Sequence, residues 1–195
     1  MIKKTVFIAL LLFSIKIAKA QSPYTLPLPQ GWGSEKLSLP IDFAPGIPIK
    51  GIEELRFTPG WGKSTTAEYW SYAFLWFMDG QPKFDKDSLR SYLTQYFNGL
   101  YLSNLKDKTG AASNFTKAEV KKVKTLVNDD QTYEATIETL DFLTHQPIKF
   151  NARLHIRNFA VTGHTVALFE ISPQVYKNVV WDKLDGVVNG FAVNK

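Results

Sequence analysis

The sequence contains no cysteine, so it offers no disulfide framework, no thiolate metal ligand and no cysteine nucleophile. It has two methionines and three histidines among 195 residues. Beyond the first 20 residues no run of 18 apolar residues occurs, and we therefore expect no membrane-spanning helix there. A hydrophobic fraction of 45% still allows a chain of this length to bury a core that needs no covalent cross-links.

The first 20 residues are predicted to be a cleavable secretory signal peptide. Lys3 and Lys4 form a positive n-region, residues 6–15 form an apolar h-region, and Ala18 and Ala20 occupy the two positions that a signal peptidase reads. A ten-residue helix extends only about 15 Å, roughly half of a bilayer core. We predict cleavage after Ala20 and an exported protein, periplasmic or extracellular. A buried or amphipathic N-terminal helix is the alternative.

The net charge of +5 originates mostly in this leader. Four of the 23 basic residues lie in the first 20 positions, which contain no acidic residue, so 19 basic and 18 acidic side chains remain. The remaining chain therefore lacks the basic field that nucleic acids require, and we expect no nucleic-acid partner. Its length of about 175 residues fits one domain, residues 21–195.

Seven of the ten prolines fall in residues 21–61. Proline lacks a backbone donor and restricts the residue before it, so this segment is predicted to be extended and rich in turns, with short strands at 35–39 and 53–57. Large apolar side chains such as Trp32 and Ile47 are too frequent for a disordered leader. We expect the segment to wrap the domain and pack on it.

Residues 68–78 form the strongest predicted strand. Large side chains occupy one face, and apolar residues also occupy the other, so we expect a central strand that is covered on both sides. The first face carries Trp70, Tyr72, Phe74, Trp76 and Met78.

A helix is predicted to follow. Its apolar side chains recur at helical spacing, and Asp85 or Asp87 can cap its first turn. The stripe consists of Leu89, Tyr92, Leu93, Tyr96, Phe97 and Leu100. A second helix is predicted near the C-terminus, where the apolar side chains have similar spacing; they are Trp181, Leu184, Val188 and Phe191.

Between the two helices the pattern predicts an antiparallel meander. Apolar residues alternate in four segments joined by polar turns. The segments are 120–127, 133–143, 148–158 and 165–171. The predicted fold class is α+β, an antiparallel sheet meander packed with two helices, and the alternative is a cystatin-like single helix on an antiparallel sheet.

Two short segments accompany this order of elements. Residues 28–32 read Leu-Pro-Gln-Gly-Trp, and a strand at 167–172 leads to a helical segment at 184–188. In these features the chain resembles the PsbP-like α/β sandwich proteins. Residues 43–45 and 54–60 also resemble an uncharacterised family of exported bacterial proteins. The PsbP resemblance implies an accessory or assembly role in an envelope or lumen rather than catalysis.

No residue pattern predicts a metal, a cofactor or a catalytic site. His145, His155 and His164 are isolated in the sequence, and neither HExxH nor GxSxG occurs. Glu134 and Glu138 share one strand face but lie about 13 Å apart. This separation exceeds the roughly 5–9.5 Å of a glycosidase carboxylate pair. We therefore assign no catalytic residue and expect no cofactor.

The third strand of the meander carries a basic face with Lys149, Arg153, His155 and Arg157. This basic face is a candidate surface for an anionic ligand or partner, extended by Lys121, Lys122 and Lys124. Acidic residues on the neighbouring strand favour mutual neutralisation instead.

The aromatic residues of the strand at 68–78 also allow two interpretations. They can form a sugar-stacking platform or the core. The length of the stripe and the apolar opposite face favour the core, because an exposed stripe of this size promotes aggregation.

The leading hypothesis is therefore an exported, non-enzymatic binding or accessory module of the bacterial envelope. Its partner is an unknown envelope protein or glycan. A small hydrolase or carbohydrate-active protein is one alternative. A structural protein that docks through the Pro-rich segment is the other.

Overall fold

The computed structural model describes residues 22–105 and 114–194, so the predicted signal peptide lies outside the described residues. The strands are β1 Tyr24–Thr25, β2 Gly33–Leu39, β3 Gly51–Phe57, β4 Tyr72–Asp79, β5 Lys117–Lys122, β6 Gln131–Leu140, β7 Pro147–Phe159, β8 His164–Ser172 and β9 Ala192–Val193. The helices are α1 Lys86–Asn104 and α2 Val180–Asn189. Seven strands form one antiparallel sheet in the order β2-β3-β4-β8-β7-β6-β5, and β1 pairs with β9.

The two helices cover opposite faces of the sheet. Alternate residues of β4 explain this, since Phe74 packs in the core with α1 and Leu75 packs in the core with α2. Both side chains are almost completely buried. The expectations of an α+β fold and of a central strand covered on both sides are confirmed. The second helix on the far face distinguishes this fold from the cystatin-like alternative.

Helix α1 begins where Asp85 caps it. The Asp85 carboxylate accepts hydrogen bonds from the backbone N–H groups of Asp87 and Ser88, at 3.0 and 2.8 Å. The helix continues through Gly99, where a β-carbon would lie 1.8 Å from the carbonyl oxygen of Phe43. Glycine at this position therefore allows the Pro-rich segment to approach the helix closely.

The Pro-rich segment contributes to the sheet and to the core. Strands β2 and β3 extend the sheet beyond β4. Between them, Ile41, Ala44, Ile47 and Ile49 are buried in the same core as α1. The chain between the two strands is therefore packed against the domain.

The predicted strand at 68–78 begins later than expected. Strand β4 starts at Tyr72, because the preceding residues form turns. Trp70 has a φ of +52°, and Glu68 accepts a hydrogen bond from the backbone N–H of Gly60. Side-chain alternation alone did not show that these residues close the loop between β3 and β4.

The first strand of the meander begins and ends earlier in the chain than predicted. Strand β5 ends at Lys122, not near residue 127. The N–H of Leu126 donates to the side chain of Thr132 instead of joining the ladder. This side-chain hydrogen bond turns the chain away from the sheet, and its apolar residues at 126 and 127 are exposed.

Candidate functional site

An aromatic cavity of about 310 Å³ lies between the sheet and α1. This size falls at the lower end of the range for small-molecule sites. Its aromatic lining consists of Phe43, Phe57, Trp61, Trp70, Tyr72, Tyr96 and Phe142. Leu37, Leu55 and Leu100 supply aliphatic surface, and Glu35, Ser103 and Asn104 supply polar groups.

The strand register determines which side chains form the floor of the cavity. Glu35 of β2 pairs with Leu55 of β3, and Phe57 of β3 pairs with Tyr72 of β4. Residues paired across strands point to the same face, so these side chains line one surface. The opposite wall comes from Tyr96, Leu100, Ser103 and Asn104, which share one face of α1.

Three connecting segments close the side of the cavity. Trp61 and Trp70 come from the loop between β3 and β4, and their ring centroids are 5.1 Å apart. Phe142 follows β6 and lies 4.9 Å from Trp70 between ring centroids. Phe43 comes from the Pro-rich segment and contacts Tyr96 edge to face at 5.1 Å. The enclosure thus depends on segments distant in sequence.

Asp141 holds this aromatic wall in place. Its carboxylate accepts hydrogen bonds from Trp70 Nε1 at 2.9 Å, from Thr144 Oγ1 at 2.6 Å and from the Tyr69 hydroxyl. Burial favours a raised pKa for Asp141, but these hydrogen bonds outweigh it and hold the pKa below its ordinary value. Asp141 is therefore a structural anion that fixes the position of Trp70.

Two hydrogen-bond donors of the lining lack a partner within the described residues. They are Trp61 Nε1 and the hydroxyl of Tyr72, and both atoms are buried. By contrast, Trp70 donates to Asp141 and Tyr96 donates to Glu53. A buried donor without a partner costs about 1–3 kcal/mol, so native folds keep few of them. Both of these belong to side chains that line the same cavity.

Glu53 lies behind the cavity and is fully buried. It accepts hydrogen bonds from Tyr96 at 2.6 Å and from Trp76 Nε1 at 3.1 Å. Burial raises the pKa of Glu53 to about 7, although both hydrogen bonds act in the opposite direction. Burial, together with the nearby Glu53, also raises the pKa of Tyr72 well above its ordinary value. The Tyr72 hydroxyl therefore keeps its proton and remains a donor.

The structure places the predicted basic face largely inside ion pairs on the opposite side of the sheet. His155 Nδ1 lies 2.7 Å from Asp129, and Arg157 Nε donates to the same carboxylate at 2.9 Å. His155 and Arg157 are only 3% and 5% exposed. Arg157 also donates to the carbonyl of Val188 in α2. These two side chains connect β7 to the β5–β6 turn and, through Arg157, to α2.

Arg153 and Lys149 of the basic face also have acidic partners. Arg153 lies 3.1 Å from Glu170 and 2.9 Å from Asp185, and its guanidinium packs over the rings of Tyr176 and Trp181. Lys149 pairs with Glu138 at 2.9 Å on the surface. Of the extending lysines, Lys121 pairs with Glu134, Lys122 donates to Gln131, and Lys124 is exposed.

The three histidines do not come together. His155 is buried in the ion-pair cluster, His164 Nδ1 lies 3.1 Å from the carbonyl oxygen of Met78, and His145 follows Asp141 in a turn with a φ of +58°. Within residues 22–105 and 114–194, no group of histidines and carboxylates is arranged to hold a metal ion.

Sequence reasoning did not identify the cavity. It assigned the aromatic face of β4 to the core, and Trp70 and Trp76 are indeed buried. What it lacked was the position of Trp61, Phe43 and Phe142 around that core. The one available indication was the polar hydroxyl of Tyr72 in the middle of an apolar stripe.

In the part of the chain that the structure describes, no helix has the length and apolar character to cross a membrane. No protein-family model matches the chain, and no curated protein matches it. Among solved structures, the solution structure of cyanobacterial PsbP (CyanoP) from Synechocystis sp. PCC 6803 resembles it with a TM-score of 0.39 and 10% sequence identity. The alignment covers 88% of this chain and 87% of that one.

Proposed function

We propose that the protein is an exported, non-enzymatic binding module that holds a small apolar molecule in the aromatic cavity. The observation that carries this proposal is the pair of buried, unpartnered donors, Trp61 Nε1 and the Tyr72 hydroxyl, which belong to side chains that line one cavity. An apolar cavity with a few polar groups is the usual form of a small-molecule site.

Calorimetric titration of the chain from Gln21 onward with two neutral probes, 2-acetonaphthone and 2-ethylnaphthalene, tests the proposal. At least one probe is expected to bind with one-to-one stoichiometry. A variant that fills the cavity, Leu100→Trp, is expected to lose this binding, and Leu37→Trp on the opposite wall is expected to do the same. The control Leu126→Trp changes an exposed loop residue and retains binding. If neither probe binds the unmodified chain, the proposal is wrong.

The proposed location is the bacterial envelope, on the basis of the predicted signal peptide. Mass spectrometry of the protein recovered from its own cells is expected to show Gln21 as the first residue, often cyclised. A chain that retains residues 1–20 in the cytoplasmic fraction contradicts this part of the proposal. An accessory role beside an envelope protein or glycan is part of the same proposal.

The basic face has weaker support as a partner surface. His155 and Arg157 are buried, so Lys149 and part of Arg153 are what a partner can reach. Each already has an acidic neighbour. An anionic partner therefore has to compete with intramolecular ion pairs at this surface.

The two alternative functions have less support than the binding module. Trp70 and Trp76 are about 2% and 1% exposed, so they do not form a platform for sugars. Of the described side chains that line the cavity, Glu35 alone carries a carboxylate, whereas a glycosidase needs two. Docking through the Pro-rich segment is disfavoured because Ile41 and Ile47 are buried in the core of the same chain.

A further inference from the structure

We infer that the ligand of the aromatic cavity is a neutral, flat, apolar molecule with a carbonyl oxygen, which accepts hydrogen bonds from Tyr72 and Trp61. This inference rests on the proposed function, since it names the chemical class that the cavity binds. Three features of the site support it: the chemistry of the unpartnered groups, their positions, and the charges around them.

The first feature is that both unpartnered groups are available as donors. An indole N–H donates and cannot accept. The Tyr72 hydroxyl keeps its proton because it is buried near Glu53. A hydrocarbon in the cavity leaves both donors without partners, whereas an acceptor oxygen satisfies them. A carbonyl oxygen has two lone pairs and can accept from both groups at once.

The second feature is that the two donors belong to neighbouring side chains. Phe57 contacts both, with ring-centroid distances of 4.9 Å to Trp61 and 5.8 Å to Tyr72. Trp70 also contacts both, at 5.1 and 6.2 Å. Trp61 is half-buried in the loop between β3 and β4, and because both donor atoms are buried, the two rings have to shift before a ligand oxygen in the cavity reaches them. One ligand oxygen is therefore the simplest common partner.

The third feature is the charge around the cavity. Glu35 lines it and Glu53 lies behind it, while no lysine or arginine is among the described lining residues. A carboxylate or phosphate ligand enters this environment without a compensating cation, which is unfavourable in a low-dielectric site. A cationic ligand gains attraction from the glutamates and the rings but leaves both donors unpartnered. A neutral ligand with an acceptor oxygen brings no uncompensated charge into the site and gives both donors a partner.

The aromatic walls specify the shape of the ligand. Seven aromatic side chains surround the space, and flat π-systems pack against such walls by stacking and edge contacts. A volume of about 310 Å³ suits a molecule of two or three fused rings. The expected class is thus a bicyclic or tricyclic aryl ketone or quinone.

Four probes that share a naphthalene ring separate the components of this inference. They are 2-acetonaphthone with a carbonyl, 2-ethylnaphthalene without one, 2-naphthoate as an anion and 2-naphthylmethylammonium as a cation. Calorimetric titration of the chain from Gln21 onward gives each dissociation constant. The ketone is expected to bind at least about tenfold more tightly than the hydrocarbon, because each of its two hydrogen bonds is expected to strengthen binding several-fold. Neither charged probe is expected to match the ketone.

Two variants attribute that preference to the named atoms. Tyr72→Phe and Trp61→Phe each remove one donor and retain an aromatic wall. Each is expected to weaken ketone binding several-fold while the dissociation constant of the hydrocarbon stays within a factor of two. The indole N–H resonance of Trp61 is expected to shift on addition of the ketone and much less on addition of the hydrocarbon.

The outcomes distinguish this inference from the proposed function. Equal affinity for ketone and hydrocarbon, or tighter binding of the ammonium or the naphthoate, overturns the carbonyl inference while an apolar binding site remains. A ketone preference that survives in both variants also overturns it. If no probe binds, the proposed function fails and the inference fails with it.

Discussion

The hydroxyl of Tyr96 on α1 donates a hydrogen bond to the carboxylate of Glu53 on β3, at 2.6 Å inside the core. The other oxygen of the same carboxylate accepts from Trp76 on β4. One buried glutamate therefore connects a helix and two strands directly behind the aromatic cavity. Its protonation state is linked to the stability of the fold.

The ionisation of Glu53 is expected to make the protein less stable as the pH rises. Its pKa is raised from 4.5 to about 7 in the folded state, so the folded state binds the proton more tightly than the unfolded state does. The stabilising contribution is complete below pH 4.5 and is lost progressively up to about pH 7. The loss is on the order of 3 kcal/mol.

Denaturant unfolding between pH 4 and pH 8 measures this effect. In Glu53→Gln this component of the pH dependence is expected to disappear, because the amide does not titrate. The exposed Glu138→Gln serves as the control and is expected to retain it. Parallel pH profiles for Glu53→Gln and the unmodified protein would show that Glu53 is not the group responsible.

Two tyrosine variants are expected to have opposite effects on stability. Tyr72→Phe removes a buried hydroxyl without a partner and is expected to leave the free energy of unfolding unchanged or to raise it by about 1 kcal/mol. Tyr96→Phe removes the donor to Glu53 and is expected to lower it by about 1.5–3 kcal/mol at neutral pH. Chemical denaturation at pH 7.5 compares them. If the free energy of unfolding falls as much in Tyr72→Phe as in Tyr96→Phe, the Tyr72 hydroxyl has a hydrogen-bond partner.

Two glycine-to-alanine variants within helices are likewise expected to change the stability of the fold in opposite directions. In Gly99→Ala the new methyl group meets the carbonyl of Phe43, which forces the Pro-rich segment away and costs about 1–3 kcal/mol. In Gly186→Ala the methyl group enters open space on α2, and the helix gains up to about 1 kcal/mol. Thermal unfolding of both variants provides the test. An unchanged melting temperature in Gly99→Ala contradicts the close approach.

Asp129 is expected to be the most sensitive acidic residue of the ion-pair cluster. Its carboxylate faces both His155 and Arg157 and is fully buried, so Asp129→Ala leaves two buried basic groups without this partner. The expected loss is about 3–5 kcal/mol. Glu138→Gln, at an exposed pair, is expected to change stability by less than about 1 kcal/mol.

Because of the same ion-pair cluster, the protein is expected to lose folding stability at acidic pH. Burial favours a raised pKa for Asp129, but its hydrogen bonds and the His155 charge outweigh burial and lower the pKa below its ordinary value. The stabilisation from Asp129 is therefore present above pH 4 and is lost as the pH falls through the lowered pKa. Unfolding curves between pH 2 and pH 5 are expected to show this loss in the unmodified protein and to lack it in Asp129→Ala.

Much of the fold could be predicted from side-chain periodicity. The stripe from Leu89 to Leu100 identified α1, and the alternation around Phe74 identified a strand covered on both faces. The ends of the strands were harder to predict, since hydrogen bonds such as that from Leu126 N–H to the Thr132 side chain decide where a ladder stops. The basic face on β7 was recognised, but its burial depended on Asp129, which comes from a turn before β6.

The sequence by itself determined which side chains belong to which layer, because helix and strand periods assign each residue to a face irrespective of the rest of the chain. Only the tertiary structure decided that Trp61, Phe43 and Phe142 surround Tyr72 and leave a space between them. These residues lie in separate connecting segments, and their distances depend on how the segments pack rather than on any local period. The candidate binding site therefore arises from loop packing on a core that the sequence pattern already indicated.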